Sequence, residues 1–148
     1  MAGGAFTLYN AFAEKLGQAL IDLENGDFYM TLHTSSYSPS VSSDDDYADL
    51  TNELTTASGY TVGGTLLDHS WSRTGNVNKF TLDTAASWMV SGGDLTAKTA
   101  VVHCAIGTGD NPLVGFFTLK ASGADAVIKD GTTFTVTAAA NGLFTLTG

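Results

Sequence analysis

Positive charge is what this sequence has least of. Six lysines and arginines stand against fifteen aspartates and glutamates, a formal net charge of −9 at pH 7. A surface that grips phosphates needs clustered cations to displace counterions. Lys15, Arg73, Lys79, Lys98, Lys120 and Lys129 are scattered along the chain, so nucleic acid is not an expected partner. Charge of either sign is scarce, at 14% of residues against about 25% in an average globular protein. With one cysteine, Cys104, no disulfide can form within the chain. It lies in an apolar run and reads as a small buried hydrophobe. No apolar run approaches the ~18 residues of a membrane helix, so no membrane partner is expected. The opening MAGGAFTLYNAFAEKLG lacks the basic start and continuous apolar core of a signal peptide. The expectation is a protein made in the cytoplasm that leaves, if at all, inside something larger.

What is plentiful is threonine, serine, alanine and glycine, the last at 17 residues, within a chain that is 43% hydrophobic. That mixture suits strands and turns, and surfaces that meet other protein. A single domain spanning residues 1–148 is expected, since a chain of this length buries roughly 70% of its unfolded surface. Leu8, Phe12, Leu16 and Leu20 repeat every four residues and predict an amphipathic helix that ends near Gly17 in a left-handed cap. Residues 18–23 read as a short strand, and Asn25-Gly26 as a hairpin turn. Phe28, Met30 and Leu32 then alternate with Tyr29, Thr31 and His33, the pattern of a half-buried strand.

Residues 34–71 read TSSYSPSVSSDDDYADLTNELTTASGYTVGGTLLDHSW, and the rest of the chain is arranged around them. Asp44, Asp45 and Asp46 offer N-cap oxygens, with Tyr47, Leu50 and Leu54 as the apolar stripe of a short helix behind them. Gly59 stops that helix, and Gly63-Gly64 turn into the next strand. Further strands are expected at 65–74, 77–83, 86–90, 99–106, 113–119, 132–137 and 143–147. Turns fall at Gly75-Asn76, at 91–94, at 107–111 and at Asn141-Gly142. The run at 99–106 is apolar throughout, as for a strand covered on both faces. The expected fold is mainly β: an antiparallel, jelly-roll-like β-sandwich with an N-terminal helix and one short helix packed on it.

The strings TSSYSP, YADLTNELTTASGYTVGGTLL, GGDLTAKTAVVH, NPLVGFFTL and DGTTFTVTAAANGLFTLTG together resemble a family of small tailed-bacteriophage virion proteins. The resemblance covers most of the chain from about Phe28 onward. It implies a structural component of the virion, a capsid-decorating (cement) or head-fibre subunit that binds and does not catalyse. The partners it implies are the major capsid protein or other virion proteins. A homo-oligomer is expected with it, a trimer suiting a local threefold of a shell. The alternative function is a tail-fibre or receptor-binding module gripping a host glycan.

The residues carry no convincing chemistry of their own. The aspartate triplet is oxygen-rich enough for calcium, but an EF-hand loop needs Gly where Asp49 stands and Glu where Thr55 stands. Helix capping accounts for the same carboxylates. His33, His69 and His103 fall on three different expected strands, and nothing in their spacing requires a zinc site. No serine lies in a nucleophile elbow, and His103 and Cys104, as neighbours on a strand, point to opposite faces. Gly107-Thr108-Gly109 lacks the lysine of a phosphate loop. Tyr29, Tyr37, Tyr47, Tyr60, Trp71 and Trp88 could line a carbohydrate surface. The competing reading is that both tryptophans anchor the core and Tyr47 packs the short helix. The expectation is therefore no catalytic, cofactor or metal site.

Overall fold

A computed structural model of the protein describes residues 3–107 and 111–148. The start of the MAGGAF segment, and Thr108 and Gly109 of the Gly-Thr-Gly turn, lie outside the described residues. The chain opens with a two-residue strand, β1 (Thr7–Leu8), and one helix, α1 (Asn10–Gly17). The long strand β2 (Asp27–His33) follows, then a single 3-10 turn at Tyr47–Asp49 and the short β3 (Thr65–Leu66). The hairpin of β4 (His69–Thr74) and β5 (Val77–Leu82) comes next, then β6 (Ala86–Met89), β7 (Leu95–Ala97) and β8 (Thr99–Ala105). The chain closes with β9 (Leu113–Thr118), β10 (Ala126–Ile128), β11 (Thr133–Val136) and β12 (Phe144–Thr147).

These strands make one five-stranded sheet in the order β1-β9-β8-β2-β3 and three smaller ones, β12-β5-β4, β11-β6 and β10-β7. Every pairing is antiparallel. Phe28, Met30 and Leu32 of β2, with Ala100, Val102 and Cys104 of β8, face a core shared with all three smaller sheets. Phe80, Trp88, Leu95, Ala126, Phe134 and Phe144 come from the opposite side of that core. The result is the mainly β, sandwich-like fold the alternation predicts, with the N-terminal helix closing it. Phe12 of α1 meets Phe144 edge-on at 5.3 Å between ring centres.

Several local expectations are corrected. Residues 18–23 form no strand, so Asn25-Gly26 closes no hairpin. The segment instead turns around Asp22, whose Oδ1 accepts the amides of Glu24 and Asn25 at 3.0 Å each. Helix α1 is capped not at Gly17 but at Ala19, which takes the left-handed conformation at φ 60°. Leu20 N donates to Lys15 O and Ala19 N to Leu16 O, the two bonds of a Schellman motif. The expected strand at 65–74 is interrupted at Leu67-Asp68, where Leu67 turns into the core. β11 and β12 do not pair with each other across Asn141-Gly142. β11 pairs with β6 and β12 with β5.

The short helix expected after the aspartates is the largest departure. Only Tyr47–Asp49 coil, and Leu50 is already extended, at φ −71° and ψ 139°. Asn52 takes φ 55°, and the segment then pairs with the end of β2: Leu54 N donates to Leu32 O and Thr34 N to Asn52 O. Bonds to a waiting sheet edge win over a helix of Thr and Asn, residues with weak helical preference. Tyr47, Leu50 and Leu54 consequently share no face. Leu54 packs on the main core and Leu50 on a separate cluster of Tyr9, Tyr37, Val101 and Leu113.

Candidate functional site

β2 is buried on both faces, not one, because residues 34–64 lie across its second face. Tyr29, Thr31 and His33 of β2 share that face with Val101 and His103 of β8, by the register Tyr29↔His103 and Thr31↔Val101. The polar groups gathered here form the densest side-chain network in the described residues. It has two carboxylate hubs. Glu53 accepts the hydroxyl of Tyr60 at 2.5 Å, the amide of Gly63 at 2.7 Å and the hydroxyl of Tyr47. Asp44 accepts the hydroxyl of Tyr37 at 2.8 Å and the amide of Ser40 at 2.9 Å. Since Tyr37 gives its proton to Asp44, the 2.8 Å bond between Tyr9 and Tyr37 has Tyr9 as donor. The Tyr60 oxygen also accepts the amide of Leu32 at 3.2 Å, tying the loop to β2.

Two histidines lie beneath. His33 Nδ1 is 2.8 Å from the carbonyl of Thr51, so it carries the proton, and Nε2 accepts from Thr31 Oγ1 at 2.9 Å. Burial pushes its pKa down, against the opposing pulls of the Thr51 bond and Glu53. His103 is stacked between Tyr47 at 4.7 Å and Tyr29 at 5.8 Å, and its buried Nδ1 has no hydrogen-bond partner among the described residues. Burial drives its pKa down to about 4, with Glu53 pulling the other way.

Chemically the network binds itself. Burial, then hydrogen bonding to Glu53, pushes Tyr60 and Tyr47 well above the ordinary tyrosine range, and burial does the same to Tyr9 and Tyr37. All four are neutral near pH 7, donating hydroxyls and not nucleophiles. Cys104, on the opposite face of β8 as strand alternation predicts, is pushed up to about 11 by burial. The aspartates are likewise committed locally. Asp46 accepts the amide of Ala48 at 2.8 Å, and Asp49 accepts those of Asp45 and Asp46 at 2.9 and 3.2 Å. His69 lies on the other side of the five-stranded sheet, between Phe28 and Phe80 at 4.8 and 4.9 Å. The three histidines therefore form no cluster, and no metal-holding group of His, Cys, Asp and Glu exists among the described residues.

Of the aromatics, Trp88 is buried against Phe134 at 5.5 Å, and Tyr37 and Tyr60 are buried. Trp71 is half-buried and lines an open groove of about 510 Å³ with Leu16, Ile21, Leu23, Leu146, Asp22 and Glu24. Tyr47 packs no helix but covers His103. Glu53 is the residue the sequence did not single out. Its tyrosine partners stand six and seven positions away on either side, a spacing that belongs to neither helix nor strand. Comparison with protein-family models, with curated proteins and with solved structures finds no match to the chain.

Proposed function

We propose that this protein is a non-catalytic structural subunit of a tailed-phage virion, decorating and stabilising the capsid by docking on the major capsid protein. The observation that carries the docking reading is the outer surface. Met89, Leu66, Val62 and Val127 are 73%, 54%, 53% and 49% exposed on a domain with little charge to keep other protein away. Small uncharged neighbours allow close approach without desolvating unpaired ions. The tailed-phage context comes from the resemblance of the motifs. A homotrimer fits a threefold site on a shell.

The groove beside Trp71 favours a second reading, a tail-fibre module that grips a host glycan, since an indole face flanked by carboxylates suits a sugar ring. Copy number in purified particles separates the two. Hundreds of copies per particle support decoration, tens support a tail fibre, and none overturns both. Light scattering on the isolated protein checks the trimer, which a strict monomer at high concentration overturns.

A further inference from the structure

Residues 35–51 lie on the second face of the five-stranded sheet with few backbone ties to the rest of the domain. Asn10 N donates to Val41 O, Tyr47 N to Asn111 O and Leu113 N to Asp45 O. The remaining ties are side-chain bonds: Asp44 through Tyr37 to Tyr9, Tyr47 to Glu53, and Thr51 O to His33. Their apolar support is the small cluster of Tyr9, Tyr37, Val101 and Leu113. The following stretch is held differently, because Leu54 and Tyr60 belong to the main core. Strands β8 and β9 also pack into that core through their opposite face, with Ala100, Val102, Cys104, Val114 and Phe117.

Under this strap sits His103, only 4% exposed, with its Nδ1 unpartnered among the described residues and the ring of Tyr47 stacked over it. Around it stand Tyr29 and His33 on β2, Tyr47 in the strap and Glu53 beyond; its register partner on β9, Leu113, carries no charge. We propose that residues 35–51 are an acid-released strap: protonation of His103 frees them from the sheet while the core stays folded, uncovering the face formed by Tyr29, Val101, His103, Leu113 and Phe116. An imidazolium has two N–H donors, and the one at the buried Nδ1 meets no acceptor among the described residues. The second ring, His33, adds repulsion once charged, and among the described residues Glu53 supplies the opposing attraction. Lifting the strap hydrates the ring.

The sign follows from linkage. His103 is held neutral when covered, so the open form binds the proton better between the ordinary histidine value and about 4, and falling pH favours opening. From pH 7 to pH 5 the opening equilibrium should rise about twentyfold. Hydrogen exchange, corrected for the intrinsic pH dependence, measures it. Amides of 37–51 should lose protection by about tenfold or more, and those of β8 by less than about threefold. His103→Phe keeps the stacked ring without the titrating group and should abolish the loss. The proposal is overturned if the strap stays protected at pH 5, if strap and β8 open together, or if His103→Phe opens at the same pH. Should His103→Phe fail to fold, the NMR titration of the His103 ring in the wild-type protein decides. A midpoint that tracks strap opening supports the device, and one that does not sinks it.

Discussion

At the scale of single residues, one carboxylate gathers three hydrogen bonds of the loop. Glu53 terminates three donors at once, two of them hydroxyls of tyrosines that are themselves packed against the sheet. Removing it leaves three part-buried donors without their acceptor, a costly outcome to the extent that water does not reach them. Glu53→Ala should cost about 3 kcal/mol in urea unfolding, and Glu53→Gln, which keeps one acceptor oxygen, about half that. A loss below about 0.5 kcal/mol for Glu53→Ala would mean that water replaces the carboxylate at no cost. Gly64 shows a second single-residue constraint. At φ 82°, an added Cβ would lie 2.1 Å from the carbonyl oxygen of Met30, so Gly64→Ala should cost more than about 2 kcal/mol. The glycine pair was legible as a turn, whereas the Met30 carbonyl that makes Gly64 obligatory is more than thirty positions away in the chain.

At the scale of elements, α1 tests how local signals settle a boundary. Its apolar repeat was readable because a helix is a local object: Phe12 and Leu16 fall on one side whatever lies there. The cap was misplaced, since Gly17 sits inside the last turn and Ala19 takes the left-handed angle. Gly17→Ala meets no heavy atom within 4 Å and should stabilise the protein by roughly 0.5–1 kcal/mol. Ala19→Gly should also stabilise, by up to about 1 kcal/mol, by relieving the left-handed Cβ. Opposite results for the two in thermal melts would place the cap at Gly17 after all. The strand after Gly93 and the one at Ala126 were missed for a related reason. Each has only three residues, too few for the alternation at Leu95–Ala97 to stand out, and at Ala126–Ile128 the exposed Val127 removes the alternation altogether.

For the whole molecule, the fold predicts a circular dichroism spectrum dominated by β structure, with helix near 8% of residues. A helix fraction above about a third would contradict it. Melting temperatures with and without a chelator should coincide, because the aspartates are committed to backbone amides and tyrosine, and a ligand bound only by the native state would raise stability. A drop of several degrees on chelation would overturn that assignment. The sequence by itself determined the features that each depend on a few consecutive residues. These are the β class from period-two alternation, the N-terminal helix around Phe12 and Leu16 (the outer members of the repeat, Leu8 and Leu20, fall in β1 and past the cap), the Gly75-Asn76 hairpin, the doubly buried β8, and the opposite facing of His103 and Cys104. The tertiary structure alone decided how those pieces share partners. It sent β11 to β6 and β12 to β5, drew residues 52–54 onto the end of β2 in place of a helix, and brought Glu53 between Tyr47 and Tyr60. Each of those outcomes is a competition between a local preference of a few tenths of a kcal/mol per residue and long-range bonds closed by burial. The second term depends on residues far apart in the chain, and no short stretch of sequence contains it.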